Sequence, residues 1–239
     1  MLSNTAQKYR PFFLEMLAIF VGITASFWVA DYATKLEEKN LTKKYLAGFI
    51  RDLEKDTTAL NELIEIRNKQ SKSVLTILKL IESKTLDVDS FYNSYYFIFP
   101  FYRFIPNINT LEEVLNSSHL RLIPDESLKN SILELRASYS TIKLNEEHIY
   151  HDRMAYLYNE ITMANIELSG LFVAEENGSF SSGKDAAVYK QDAEYFLQDR
   201  YFKSFLNLLE LNLQYVTPRL EQARDDCLNI ISQIEKQLR

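Results

Sequence analysis

The chain has one cysteine, five glycines, five prolines and three histidines among 239 residues. Each scarcity closes off a class of protein. A single thiol, Cys227, cannot build an intrachain disulfide framework. It leaves the compartment open, because disulfide-free domains occur on both sides of a membrane. So few glycines and prolines argue against a loop-rich β fold and against a long disordered linker. A formal net charge of −6 argues against general nucleic-acid binding, whose usual footprint is a basic stripe. No glycine-rich phosphate loop, no Gly-x-Ser-x-Gly elbow and no Cys–His pairing occurs. We therefore expect no catalytic residue, no cofactor and no nucleic-acid partner. Internal repeats and low-complexity tracts are missing, and strand-like alternation is almost absent.

Two of the three histidines fall together, in Glu146-Glu147-His148-Ile149-Tyr150-His151-Asp152. His148 and His151 share a helix face, as do Glu147 and His151, and helical His and carboxylate ligands build metal sites in bundles. A di-iron bundle needs Glu-x-x-His twice, and this chain has none. The cluster reads as a solvated polar stripe, and no metal is expected. His119 falls in a turn.

What the chain does have is one long apolar run, Phe12 to Ala30, in which Glu15 is the only charge. Nineteen residues at a helical rise span about 28 Å, close to the hydrocarbon core of a bilayer. Lys8 and Arg10 flank one end, and Asp31, Lys35 and Lys39 the other. Tyr9, Trp28 and Tyr32 sit near the ends, where amphipathic aromatics favour the headgroups. No Ala-x-Ala-like cleavage site follows closely, so the run reads as an uncleaved anchor. Ala18, Gly22, Ser26 and Ala30 recur every four residues on one face. Small residues there let two helix backbones approach, which makes this ridge the candidate helix-association face. Glu15 lies about a turn earlier, nearly on that face. An intramembrane carboxylate is costly, so it either snorkels to the interface or faces a partner or pore.

The chain thus divides into a short basic tail (1–11), a transmembrane helix (12–30) and a helical domain (31–239) with a flexible loop at about 174–190. Past the anchor, Leu46, Ile50, Leu53, Leu60, Ile64, Val74, Leu78 and Ile81 keep helical spacing, while Thr57, Arg67 and Ser71 fill the missing slots. Asp87 and Asp89 are N-cap candidates for the next helix. The aromatic segment 91–106, broken by Pro100 and Pro106, reads as a short helix and a plug at one end of a bundle, with a ligand contact as the sharper alternative. Thr110 and Glu113 form a capping-box pattern for a short helix ending near Asn116. A second long helix should start at Pro124-Asp125-Glu126 and end near Ser169-Gly170. A third should run from about Asp192 or Tyr201 to the C-terminus, along Leu206, Leu209, Leu213, Val216, Leu220, Ala223, Cys227, Ile230, Ile234 and Leu238, with Pro218 kinking or interrupting it. The expected fold is all-α: the anchor continues into an elongated antiparallel bundle of about three long helices with short helices between.

Two blocks carry a resemblance. Glu15, then Gly22-Ile23, then Asp31-Tyr32 resemble the opening of a large bacterial family of unknown function, whose members begin with a basic tail and a Gly-Glu-Ile…Gly-Ile-Leu-Ile-Ala-Leu…Asn-Asn-Trp span. Thr110-Leu-Glu-Glu-Val-Leu-Asn-Ser-Ser118 followed by Leu120-Arg-Leu-Ile123 is similar to that family's Thr-Tyr-x-Glu-Leu-x-x-Ser-Gly…Leu-x-Leu-Ile block. The chain departs at Leu14 (glycine in the family), Tyr32 (Trp), Leu111 (aromatic) and Ser118 (Gly). The resemblance implies a single-span protein of the bacterial inner membrane with a helical soluble domain, and no activity.

Two functions fit these features. One is a membrane-anchored scaffold or sensor acting through protein–protein association, with the lipid bilayer and either a second copy or another protein as partners. The other is an oligomerising membrane effector of a stress or phage-defence kind, in which a cytosolic bundle receives a signal and the anchors perturb the bilayer. Topology separates them. Counting Lys and Arg alone puts Lys35, Lys39, Lys43 and Lys44 inside. A short basic tail is hard to translocate, whereas a long domain crosses largely regardless of charge, and this tips the expectation toward a periplasmic bundle.

Overall fold

The computed structural model describes residues 3–160, 173–174, 180–181 and 186–238. Six α-helices fall among them: α1 (Ser3–Ser83), α2 (Val88–Ile98), α3 (Asn109–Asn116), α4 (Glu126–Leu157), α5 (Ala186–Gln198) and α6 (Arg200–Leu238). A 3-10 turn spans His119–Leu122, so His119 sits in a helical turn. The architecture is the all-α bundle expected. The apolar run and the first bundle helix are one continuous helix of 81 residues.

Aspartates start three of the helices. Asp87 accepts from Ser90 N, Asp125 from Ser127 N and Leu128 N, and Asp199 from Tyr201 N and Phe202 N. Each satisfies amide donors that have no partner inside the helix. Lys84, left-handed at φ 52°, closes α1, and Thr85 N reaches back to Leu80 O.

The bundle runs up, down, up, down. α1 rises from the apolar run. α2, an extended strap (99–108) and α3 together form the descending second leg. α4 rises again, its Tyr139 at the level of Asp56 and its Glu146 at the level of Arg67. α6 descends past Ser71 through Glu210, and its Gln237 ends beside Asp125. α6 packs against both α1 and α4, whose backbones stay apart and which meet through the side-chain pairs Arg67–Glu146 and Asp56–Tyr139. The strap and α3 fill the space between them. The core stripe of α6 from Leu206 to Ile234 is buried at each position named from the spacing, and Leu238 alone is exposed.

Several local expectations need correction. α4 stops at Leu157, short of Ser169-Gly170. The Ala155 carbonyl, which would accept from Asn159 N in a continuing helix, instead accepts from Tyr201 OH, and Asn159 N turns to Tyr156 O. Thr110 is not an N-cap: α3 begins at Asn109, and the Thr110 amide donates to Asp52 Oδ2 on α1. Pro218 does not interrupt α6, and Arg219 Nη1 donates to the Tyr215 carbonyl one turn back. In and beside 174–190, Val173–Ala174 and Phe180–Ser181 form a two-residue antiparallel pair and residues 186–190 open α5; the rest of that stretch, like the Ser169-Gly170 expected to end the second long helix, lies outside the described residues.

The aromatic segment packs as a plug. Phe91 and Tyr95 of α2 meet Phe196 of α5 and Phe202 of α6, and Phe99 stacks on Tyr156 and Phe205. These rings close the end of the bundle remote from the apolar run. Offset and edge contacts of this kind add to plain area burial.

Candidate functional site: an exposed apolar helix and a buried polar layer

Between Phe12 and Val29, twelve large apolar side chains are each more than half exposed, Trp28 reaching 78%. At about 1.5–3 kcal/mol per unburied side chain, water around all of them costs roughly 20–35 kcal/mol. The fold of the described residues leaves this apolar surface uncovered. It is long and apolar enough to cross a membrane, and none of it is buried in the bundle. Its hydroxyls are satisfied within the helix: Thr24 donates to Phe20 O and Ser26 to Gly22 O. Ala18, Gly22, Ser26 and Ala30 are all exposed, and a Cβ on Gly22 would touch nothing. Glu15 is exposed and has no hydrogen-bond or ion-pair partner among the described residues.

The helix stays unaccompanied until Glu38, which pairs with Arg121 at 2.8 Å, and its burial becomes regular at Tyr45. Glu38 lies about 12 Å beyond Ala30 along a helix. That distance is longer than a headgroup layer of about 5–8 Å.

Higher up, the bundle holds charge where apolar side chains are the rule. Arg67, Glu146 and Arg153 are each 0% exposed, and Gln70 is 1%. They grip the strap, whose backbone has no ladder or helix of its own. Arg67 Nη2 donates to Glu146 Oε1 at 3.0 Å and to Tyr102 O at 2.7 Å. Glu146 Oε2 accepts from Phe104 N at 3.0 Å. Gln70 Nε2 and Arg153 Nη1 both donate to Pro100 O, at 3.0 and 2.7 Å. Lower down, Asp56, also 0% exposed, accepts from Asn107 N, Asn107 Nδ2 and Tyr139 OH. Buried polar groups need such partners, and here side chains of α1 and α4 supply the bonds that regular structure would have supplied.

The layer is not neutral. Two guanidinium groups face one carboxylate, and Arg153 Nε and Nη2 have no hydrogen-bond partner among the described residues. Burial pushes Glu146 up against the opposing pull of Arg67 and the Phe104 amide. Burial likewise lowers Arg67 against the pull of Glu146. Arg153 comes down to about 9 through burial first and the Arg67 charge second. Cys227 is buried 3.1 Å from Tyr139 OH, and burial pushes its thiol up to about 11. That is the reverse of an activated nucleophile.

His148 and His151 are both exposed on α4, while Glu146 turns inward to Arg67. Among the described residues, no three His, Cys, Asp or Glu side chains are placed to hold one metal ion. His119 Nδ1 meets Tyr45 OH at 2.8 Å. Sequence pattern alone did not mark Asp56, Glu146 and Arg153 as interior residues. Its one signal was the break in the apolar stripe at Arg67 and Ser71, which turn out to hold the strap and Glu210.

No family model, no curated protein and no solved structure matches this chain.

Proposed function

We propose that the chain is a single-pass protein of the bacterial inner membrane, a non-catalytic scaffold or sensor that works through protein–protein association. The observation that carries this reading is the unbroken α1, whose exposed apolar run passes into the core of the bundle with no hinge between Ala30 and Tyr45. A displacement of the span is then a displacement of the bundle. The Ala18–Ala30 ridge is the self-association face, because nothing within one chain uses the space at Gly22. The apolar run carries the bilayer partnership, and the bundle stands on the periplasmic side. The left-handed backbone at Ser118, φ 57°, supports the family resemblance, since the family carries glycine there.

Extraction of membranes with alkaline carbonate tests the anchor: the full chain stays in the membrane pellet, and release into the supernatant refutes it. Crosslinking in membranes tests the ridge. Gly22→Leu weakens the oligomer, and unchanged crosslinking removes that face from the reading.

The unpartnered Glu15 favours a second reading, an oligomerising effector whose assembled anchors turn this carboxylate toward a shared pore. A cysteine added after Arg239 in a Cys227→Ser background separates the two. Labelling by an impermeant maleimide in spheroplasts supports the periplasmic scaffold. Labelling only after inner-membrane lysis supports the effector, with depolarisation on induction as its further requirement.

A further inference from the structure

The outer side of the strap forms one wall of a groove of about 420 Å³, and α4 forms the other. Arg136, Ser140 and Lys143 come from α4 at spacings of four and three, so they share one face. Arg103 and Ile105 come from the strap, and Tyr139 lies at the floor. Arg103, Arg136 and Lys143 are exposed, and none makes an ion pair among the described residues.

Three of the nearby acids, Glu146, Asp56 and Asp52, are engaged elsewhere. Glu146 is buried on Arg67 and Phe104 N and acts on Arg103 only from a distance. Asp56 is taken by Asn107 and Tyr139, and Asp52 accepts from the α3 amide of Thr110. Glu147, one turn beyond Lys143, is half-buried. Arg103 is steadied over the Phe101 ring, 5.2 Å from its centre. The strap itself is pinned from beneath by the polar layer, so the wall is fixed before anything binds. Such preorganisation lowers the entropic cost of capture.

We infer that this groove binds a soluble small molecule carrying two or more phosphate or carboxylate groups, whose organic body lies against Ile105 and Tyr139. Its volume falls within the range of small-molecule sites, about 300–1,000 Å³. Arg136 and Lys143 are seven residues apart, about 10 Å along the helix, which suits a ligand with separated acidic groups better than a single monoanion. A membrane headgroup does not reach it. The groove sits at the level of Asp56, about 39 Å along α1 from Ala30, whereas headgroups extend about 5–8 Å. Three cations on a chain of net charge −6 make a poor track for a nucleic acid. The inference does not depend on the bilayer.

Isothermal titration of the full chain in a non-ionic detergent tests it. ATP, citrate and inorganic pyrophosphate serve as probes, with sodium chloride at matched ionic strength as the control. Saturable binding of at least one probe is expected, ATP and citrate telling phosphate from carboxylate. Arg136→Ala and Lys143→Ala each weaken it about tenfold, the scale of one charge-assisted hydrogen bond. Lys129→Ala, on the same helix but already paired with Glu126, leaves it unchanged. All three positions face solvent in part, and far-UV circular dichroism confirms that the variants fold. Heat no larger than that of sodium chloride overturns the proposal. So does binding that survives the double Arg136→Ala/Lys143→Ala variant, or capture of a glutamate-rich peptide with no response to the small anions.

Discussion

Removing the Glu146 carboxylate is the sharpest perturbation of this fold. Glu146→Ala takes away the acceptor of Arg67 Nη2 at 3.0 Å and of Phe104 N at 3.0 Å. Both donors are buried, so water does not replace it. The guanidinium is left as an uncompensated interior charge, for which the expected loss is about 3–5 kcal/mol. That is a fifth or more of a domain stability of about 5–15 kcal/mol. Glu146→Gln keeps the volume and one acceptor and should lose about 1–3 kcal/mol, the cost of a weakened bond to a charged group. Arg153→Met provides the contrast. Arg153 is the excess cation, with two nitrogens unpartnered among the described residues, and Pro100 O keeps Gln70 Nε2 when it goes. Exchanging a poorly compensated buried charge for an apolar side chain is often neutral or stabilising, so this variant should stay within about 1 kcal/mol of the parent. Urea unfolding of the full chain in detergent, followed by far-UV circular dichroism, measures all three variants, and hydrogen exchange at the Phe104 amide reports the strap. If Glu146→Ala unfolds within about 1 kcal/mol of the parent, or Arg153→Met costs as much as Glu146→Ala, the account of the layer is wrong.

Two further substitutions probe local geometry. A Cβ at Gly48 would lie 2.7 Å from Thr110 Oγ1 and 3.0 Å from Thr110 Cγ2, so Gly48→Ala should cost about 1–3 kcal/mol by forcing α3 off α1, and Thr110→Ala in the same chain should recover part of it; thermal melts of the single and double variants decide. Ser118→Gly relaxes a left-handed residue and should raise stability by about 0.5–1 kcal/mol, read as a higher urea midpoint with an unchanged slope.

Local pattern made the helices legible. The stripe of α6 is a run of threes and fours, and each position from Leu206 to Ile234 is buried. Of the two cap candidates Asp87 and Asp89, Asp87 is the cap and Asp89 lies in the first turn, and Pro124-Asp125-Glu126 could be read as a helix start, because such groups act on amides two or three residues away. The strap could not be read, since what fixes it is remote: Arg67 meets Glu146 79 residues on, and Tyr139 meets Asp56 across 83. A polar residue in an apolar stripe looks like a flaw until the backbone it serves is placed. Thr110 shows the same thing, its amide being satisfied by Asp52 from another helix rather than by a local capping box. The basic groove had no linear signal either, because Arg103 and Arg136 meet only once the strap lies along α4.

The continuity of α1 also decides how two copies would stand together. On a straight helix of 3.6 residues per turn, the Ala18–Ala30 ridge and the face that enters the core at Leu46, Phe49, Leu53 and Leu60 point about half a turn apart. Spans that meet along the ridge therefore turn their bundles outward, and the bodies do not collide. The α1 faces turned toward each other carry Ala47, Arg51, Glu54, Lys55 and Glu62, exposed charges of both signs save for Ala47. They offer no apolar seam of their own, so the ridge inside the bilayer has to supply the attraction while the bundle helices diverge above it. Ala30→Cys, at the end of the ridge, should form an intermolecular disulfide in membranes under mild oxidation in a Cys227→Ser background, and Ser140→Cys, on α4 at the groove, should not. The reverse pattern would place the contact on the bundle and leave the ridge to lipid.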